Sequence, residues 1–189
     1  MLLSQIQSRS SNPALVRVAA IGVFAALTAL TARITMPLPF TPVPITLQVM
    51  IVLLAGLTLG AKDGALSQIA YVVSIALGLP VDANGLGAAV FASPTAGYLI
   101  GFIAGAFVAG YLAERGLNRN RALRLLAGLA GVGVIYFIGT AWLTHMFLGG
   151  DWAKSWALGV VPFIVIDIIK ALIASATAEG ARVWLNRSK

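Results

Sequence analysis

The chain has no cysteine, which excludes disulfides, thiolate metal sites and a cysteine nucleophile. It has one histidine, His145, and no cluster of histidine or carboxylate from which a metal site could be built. An intramembrane serine protease needs a base beside its nucleophile. Here the histidine stands near Gly149 and no GxSxG elbow exists. The phosphate loop GxxxxGK[ST] is missing too. Gly60-Ala61-Lys62 matches only a fragment of it, so the chain has no evident means of hydrolysing ATP. No internal symmetry relates its two halves, unlike the inverted repeats common in secondary transporters. Catalysis is therefore not expected of this chain.

Charge is scarce as well, at 10% of residues against ~25% in soluble domains. What fills its place is apolar: 59% hydrophobic residues and a mean hydropathy of +0.94. Several apolar runs approach the ~17–25 residues that span a bilayer, which predicts an all-α, polytopic membrane protein. At 189 residues there is room for one domain, residues 1–189. Met1 to Asn12 is polar and no small-residue cleavage site follows it. The first apolar run is thus expected to be a retained span and not a signal peptide.

Six spans are predicted: Ala14 to Ile34, Ile45 to Leu59, Gly64 to Leu79, Phe91 to Ala113, Leu123 to Phe147, and Trp156 to Trp184. The second and third are short for free spans and need cover from neighbours or a thinned bilayer. Pro37, Pro39, Pro42 and Pro44 precede the second, and Gly78 and Pro80 follow the third. Pro94 suits a first helical turn, where its missing N–H does no harm. Pro162 is expected to start or kink the sixth span.

Lys and Arg set the orientation. With both termini in the cytoplasm, the inner segments hold Arg9, Arg17, Lys62, Arg115, Arg119, Arg121, Arg124, Arg182, Arg187 and Lys189. The outer loops hold only Arg33 and Lys154. The net charge of +7 is thus mainly a topology signal and needs no nucleic-acid partner. Trp142, Trp152 and Trp156 fall near the outer interface and Trp184 near the inner one, as interfacial anchors do. His145 is expected to be an interface residue beside them.

The connections differ in kind. Glu114 to Arg124 is charged and polar, suited to headgroups or a cytoplasmic partner. Met36 to Pro44 and Pro80 to Ser93 are apolar and rich in Pro and Gly. They fit either a lid over the outer end or tight turns shielding helix ends. Gly97, Gly101, Gly105 and Ala109 recur every fourth residue, a flat strip for close internal packing. The first span has two such strips, Gly22 with Ala26 and Ala25 with Ala29. That is more than one neighbour needs, so a contact with another membrane protein is expected there.

Asp167 and Lys170 lie inside the last apolar stretch, Val160 to Ala178. A charge in hydrocarbon costs ~2.5–3.5 kcal/mol on insertion scales, so such residues persist where something polar uses them. Three residues apart on a helix, they share a face. They can neutralise each other as a staple or grip a common ligand.

Four stretches carry a specific resemblance. Phe40-Thr41-Pro42-Val43-Pro44-Ile45-Thr46-Leu47-Gln48 is similar to the PVPITLQ segment of the BioY family. These are the biotin-binding S components of energy-coupling-factor (ECF) transporters. Gly64, Ser67 and Tyr71, then Gly78-Leu79-Pro80-Val81, resemble that family's third span and its exit. Ser93-Pro94-Thr95-Ala96-Gly97-Tyr98-Leu99 resembles its GPTGGYL entry into span four. Pro162-Phe163 with Asp167-Ile168-Ile169-Lys170 resembles its PF…DxxK pattern.

The resemblance implies a six-helix fold with a vitamin pocket toward the outer face of the cytoplasmic membrane. It implies biotin as ligand, no cofactor, and ATP hydrolysis on cytosolic partner subunits joined through a transmembrane coupling protein. Carried over by motif, Asp167 would accept from biotin's ureido N–H groups and Lys170 would donate to an oxygen. Gln48, Asn84, Tyr71 and Tyr98 are further candidates. One departure is plain: the family's Gly-rich connection after GLPV commonly holds an Arg. Here it reads Asp82-Ala83-Asn84-Gly85-Leu86-Gly87-Ala88. Lys170 compensates, or Arg33 reaches in from span one, or the ligand carboxylate stays partly hydrated. An S component for another vitamin and a self-sufficient secondary carrier are the competing readings.

Overall fold

The computed structural model describes Ile6 and residues 12–187. Arg9 and Lys189, used above for orientation, lie outside the described residues, as does most of the polar stretch from Met1. Among the described residues are seven α-helices: α1 (Pro13–Ala32), α2 (Gln48–Leu59), α3 (Ala61–Ala76), α4 (Ala96–Leu112), α5 (Arg121–Phe147), α6 (Trp152–Gly159) and α7 (Ile164–Arg187). Asn12, Asn120 and Asp151 cap α1, α5 and α6, each side chain accepting the N–H three residues on.

Among the described residues, four helical stretches are long and apolar enough to cross a membrane: Pro13–Ala32, Ala96–Leu117, Arg121–Phe147 and Trp152–Leu185. The expected second and third spans are helices of 12 and 16 residues, short of the ~20 a free span needs. The reason is burial. Ten of the twelve residues of α2 are buried, because α1, α3, α4, α5 and α7 all pack on it. It is the axis of the bundle and has little lipid to meet.

Other boundaries differ locally. The fold is not wholly α. Two-residue strands β1 (Thr35–Met36) and β2 (Ile45–Thr46) pair antiparallel, Thr35 opposite Thr46. The proline-rich loop between them turns the chain back. The sixth span is broken: α6 is followed by a 3₁₀ turn, Val161–Phe163, before α7 begins. Pro162 lacks the N–H that would continue α6. The fourth span starts late, since Phe91 belongs to a 3₁₀ turn, Gly87–Ala92, and Pro94 precedes the Thr95 cap of α4.

Glycines let the backbones touch. Gly97, Gly101 and Gly105 of α4 face Trp142, Ile135 and Gly131 of α5. On another side of α4, Gly110 lies against Gly60 and Ala61, and Gly56 of α2 meets the Ala106 carbonyl. α1 is peripheral: only 6% of its apolar window is buried, against 61% for that of α4. Its two small strips part company. Ala25 and Ala29 pack on the core, whereas Gly22 and Ala26 are exposed and no described residue approaches the missing side chain of Gly22.

The connections gather at two poles. At the basic pole Arg17 pairs with Asp63 at 2.6 Å, and Glu114 accepts the Ala61 N–H at 2.9 Å. Arg124, counted above among loop cations, is fully buried there. It pairs with Glu179 and donates to Asn118 Oδ1 at 2.6 Å, clamping the start of α5 to the end of α7. A carboxylate one helix away was invisible to spacing along the chain.

A cavity between two lid loops

The opposite pole holds a cavity of about 60 Å³. Its roof is both apolar loops: Val43 to Thr46 from the first, Asp82, Ala83 and Val90 from the second. They are therefore parts of the cavity wall, not merely turns at helix ends. Thr41 Oγ1 donates to the Leu158 carbonyl at 2.7 Å, tying the first loop to α6. Asp82 shapes the second. It is 1% exposed, and its carboxylate accepts the N–H groups of Asn84 and Gly87 at 3.1 and 2.8 Å. Gly85 and Gly87 have φ of 69° and 56°, conformations that side chains resist.

Leu99, Phe102, Ile135 and Phe163 make the floor apolar. Into it project Asp167 and Lys170, 3% and 4% exposed. Because α7 starts only after Pro162, both sit in its first two turns, against α5. Lys170 Nζ donates to Asp167 Oδ1 at 2.6 Å, and Tyr136 OH donates to Oδ2 at 2.7 Å. The charges neutralise each other, as a staple would, and both side chains also line the cavity. Capacity is left over. The ammonium has two further protons, and each carboxylate oxygen a further lone pair. An acceptor and a donor side by side match a neutral group bearing both N–H and C=O.

Gln48 lines the cavity at the start of α2. Its amide is held from three sides. Nε2 donates to Tyr71 OH at 2.7 Å and to the Thr28 carbonyl at 3.4 Å, and Oε1 accepts from Thr46 at 3.3 Å. Tyr98 lines the wall with its ring and donates its hydroxyl to the Gly159 carbonyl at 2.9 Å. Gly139 and Gly159 leave the space that the ring fills.

Tyr71, Asn84 and Arg33 are not among the cavity's lining residues. Tyr71 stands behind Gln48 and donates to the Val81 carbonyl at 3.2 Å. Asn84 meets Asp82 through its backbone. Arg33, exposed, donates to the Pro80 carbonyl on the outside of the second loop. Among the wall residues that escaped the reading of the sequence are Tyr136 and Asp82. Each had a signal, a phenol inside an apolar run and an acid inside an apolar loop. His145 packs edge-on against Trp152, ring centroids 5.7 Å apart. No group that could hold a metal ion occurs among the described residues.

The sequence pattern of the BioY family matches residues 6–187. The "Biotin transporter BioY" of Thermotoga maritima is 46% identical over 158 residues, covering 83% of this chain and 90% of that protein. The "Probable biotin transporter BioY" of Pyrococcus horikoshii is 45% identical, over 86% of this chain and 93% of its own. A crystal structure described as the S-component for biotin from an ECF-type ABC transporter superposes with a TM-score of 0.82. It is 29% identical and covers 92% of this chain and 94% of its own. With a match spanning the bundle and both lid loops, the chain belongs to the BioY family.

Proposed function

We propose that this protein is the biotin-binding S component of an ECF-type transporter, a subunit of the cytoplasmic membrane that captures the vitamin from outside. The observation that carries the reading is the Asp167–Lys170 pair, an adjacent acceptor and donor in an otherwise apolar cavity. Biotin has the complementary form: a ureido group with two N–H and one C=O, on an apolar bicycle and chain. Its ureido N–H groups reach Asp167 and its carbonyl takes a Lys170 proton, with Gln48 and Tyr98 completing the wall. Tyr71 acts by orienting Gln48, and Asn84 and Arg33 by holding the lid.

Among the described residues, the wall holds one cation, Lys170, and two carboxylates, Asp82 and Asp167, a formal charge of −1. Such a wall does not favour a ligand carboxylate deep inside. The valerate carboxylate is therefore assigned to the mouth, in water. Ligand pockets commonly measure ~300–1,000 Å³, so the lid loops swing outward to admit biotin. Calorimetry with biotin, biotin methyl ester and a panel of other vitamins tests this. Biotin and its ester are expected to bind within a few fold of each other, and other vitamins not to compete. Tight binding of another vitamin would reassign the ligand.

The basic pole faces the cytoplasm in this reading, with α1 to α5 and α7 as six passes and both termini inside. Energy comes from ATPase subunits acting through a transmembrane coupling protein, which docks on the open Gly22–Ala26 strip of α1. Gly22→Trp and Ala26→Trp are expected to leave biotin affinity unchanged and to abolish ATP-driven uptake. Normal uptake by both would move the contact elsewhere. Ion-driven uptake by vesicles containing this chain alone would replace the reading with a secondary carrier.

A further inference from the structure

At the basic pole α1, α3 and α4 enclose an open groove of about 540 Å³. Leu59, Ala61 and Phe107 give it an apolar floor, and Arg17, Lys62 and Arg115 stand against Asp63 and Glu114 around it. Both carboxylates are engaged. Asp63 holds Arg17 at 2.6 Å, and Glu114 accepts the Ala61 N–H at 2.9 Å. Among the described residues, three cations less two carboxylates leave the groove at +1. Lys62 has no ion-pair partner among the described residues. Arg115 lies over the neutral ring of Tyr111, 5.0 Å from its centroid.

Two further features point the same way. The N-terminus of α3 opens into the groove, and its cap, Gly60, supplies no side chain. Its first-turn N–H groups add positive potential beyond the one taken by Glu114. Phe107 and Tyr111 are stacked at 6.1 Å and are 43% and 39% exposed. They run down α4 from the cations along a helix apolar enough to cross a membrane.

We propose that this groove binds the headgroup phosphate of an anionic phospholipid. Lys62 and Arg115 hold the phosphate, and the upper acyl chains lie along Phe107 and Tyr111. A soluble phosphate would use the cations alone and leave the aromatic slope without purpose. A protein partner would be expected to bring carboxylates to both cations and has no need of an open helix N-terminus. The inference does not depend on which ligand fills the cavity at the other pole.

The test uses the purified full chain with phosphatidylglycerol, phosphatidylcholine and inorganic phosphate as probes. Native mass spectrometry reads retained lipid, and thermal unfolding reads stabilisation. Phosphatidylglycerol is expected to be retained at least tenfold better than phosphatidylcholine and to raise the Tm by several degrees. Lys62→Gln/Arg115→Gln is expected to lose that preference, and Lys62→Arg/Arg115→Lys to keep it. Cavity-ligand affinity, read in parallel, stays at the wild-type value and shows that the variants fold. The proposal falls if the Gln variant retains phosphatidylglycerol like wild type, or if phosphatidylcholine binds equally. It falls too if inorganic phosphate reproduces the whole stabilisation, or if the Gln variant loses a co-purifying protein while its lipid retention is unchanged.

Discussion

Asp167→Asn and Lys170→Ala are each expected to weaken biotin binding by about 2 kcal/mol or more, roughly 30-fold in Kd. Either change strands a charge that is almost wholly buried. With Asn at 167 the ammonium loses its counterion. With Ala at 170 the carboxylate keeps Tyr136 alone. Removing one member of a buried pair costs stability as well, ~3–5 kcal/mol, so loss of binding by single variants can mask loss of fold. The double variant Asp167→Leu/Lys170→Met separates the two effects. Apolar replacement of a whole buried pair is often neutral or stabilising. Its Tm is therefore expected to match wild type while calorimetry detects no biotin binding. Wild-type affinity in that double variant would assign the pair to scaffolding.

Gly101→Leu is expected to destabilise the bundle by ~3 kcal/mol or more, at or beyond the upper end for overpacking. A Cβ at Gly101 would stand 3.1 Å from both the Cα and the carbonyl oxygen of Ile135. Those are backbone atoms of α5 and cannot swing aside as a side chain would. The same substitution at Gly22, where no described residue lies within 4 Å, is expected to change stability by less than ~0.5 kcal/mol. Thermal unfolding of both variants in one detergent reads the contrast. Equal Tm values would mean that α4 and α5 have room to part.

The packing strip of α4 was legible because it is written at one spacing along one helix. The same holds for Asp167 and Lys170, whose separation of three residues already placed them on one face. What was not legible depends on partners distant in sequence. Tyr136 is tied to Asp167 across 31 positions, and Thr41 to Leu158 across 117. Arg124 looked like any loop cation until Glu179 was brought beside it. The apolar run through Leu59 was expected to be short and covered by neighbours, but hydropathy could not show that five helices form the cover. The two strips of α1 differ for a similar reason. Ala25–Ala29 and Gly22–Ala26 are equivalent in composition, and only the neighbour's position decides which one is covered.

Helix α1 combines the least burial with two attachments at the ligand end. Its Thr28 carbonyl accepts from Gln48 inside the wall, and Arg33, just past its last residue, holds Pro80 on the second loop. Peeling this helix sideways would cut both tethers in one stroke, unlatching a roof strap and freeing a wall amide together. A subunit that grasps α1 from within the bilayer would thus have its hand on the release lever.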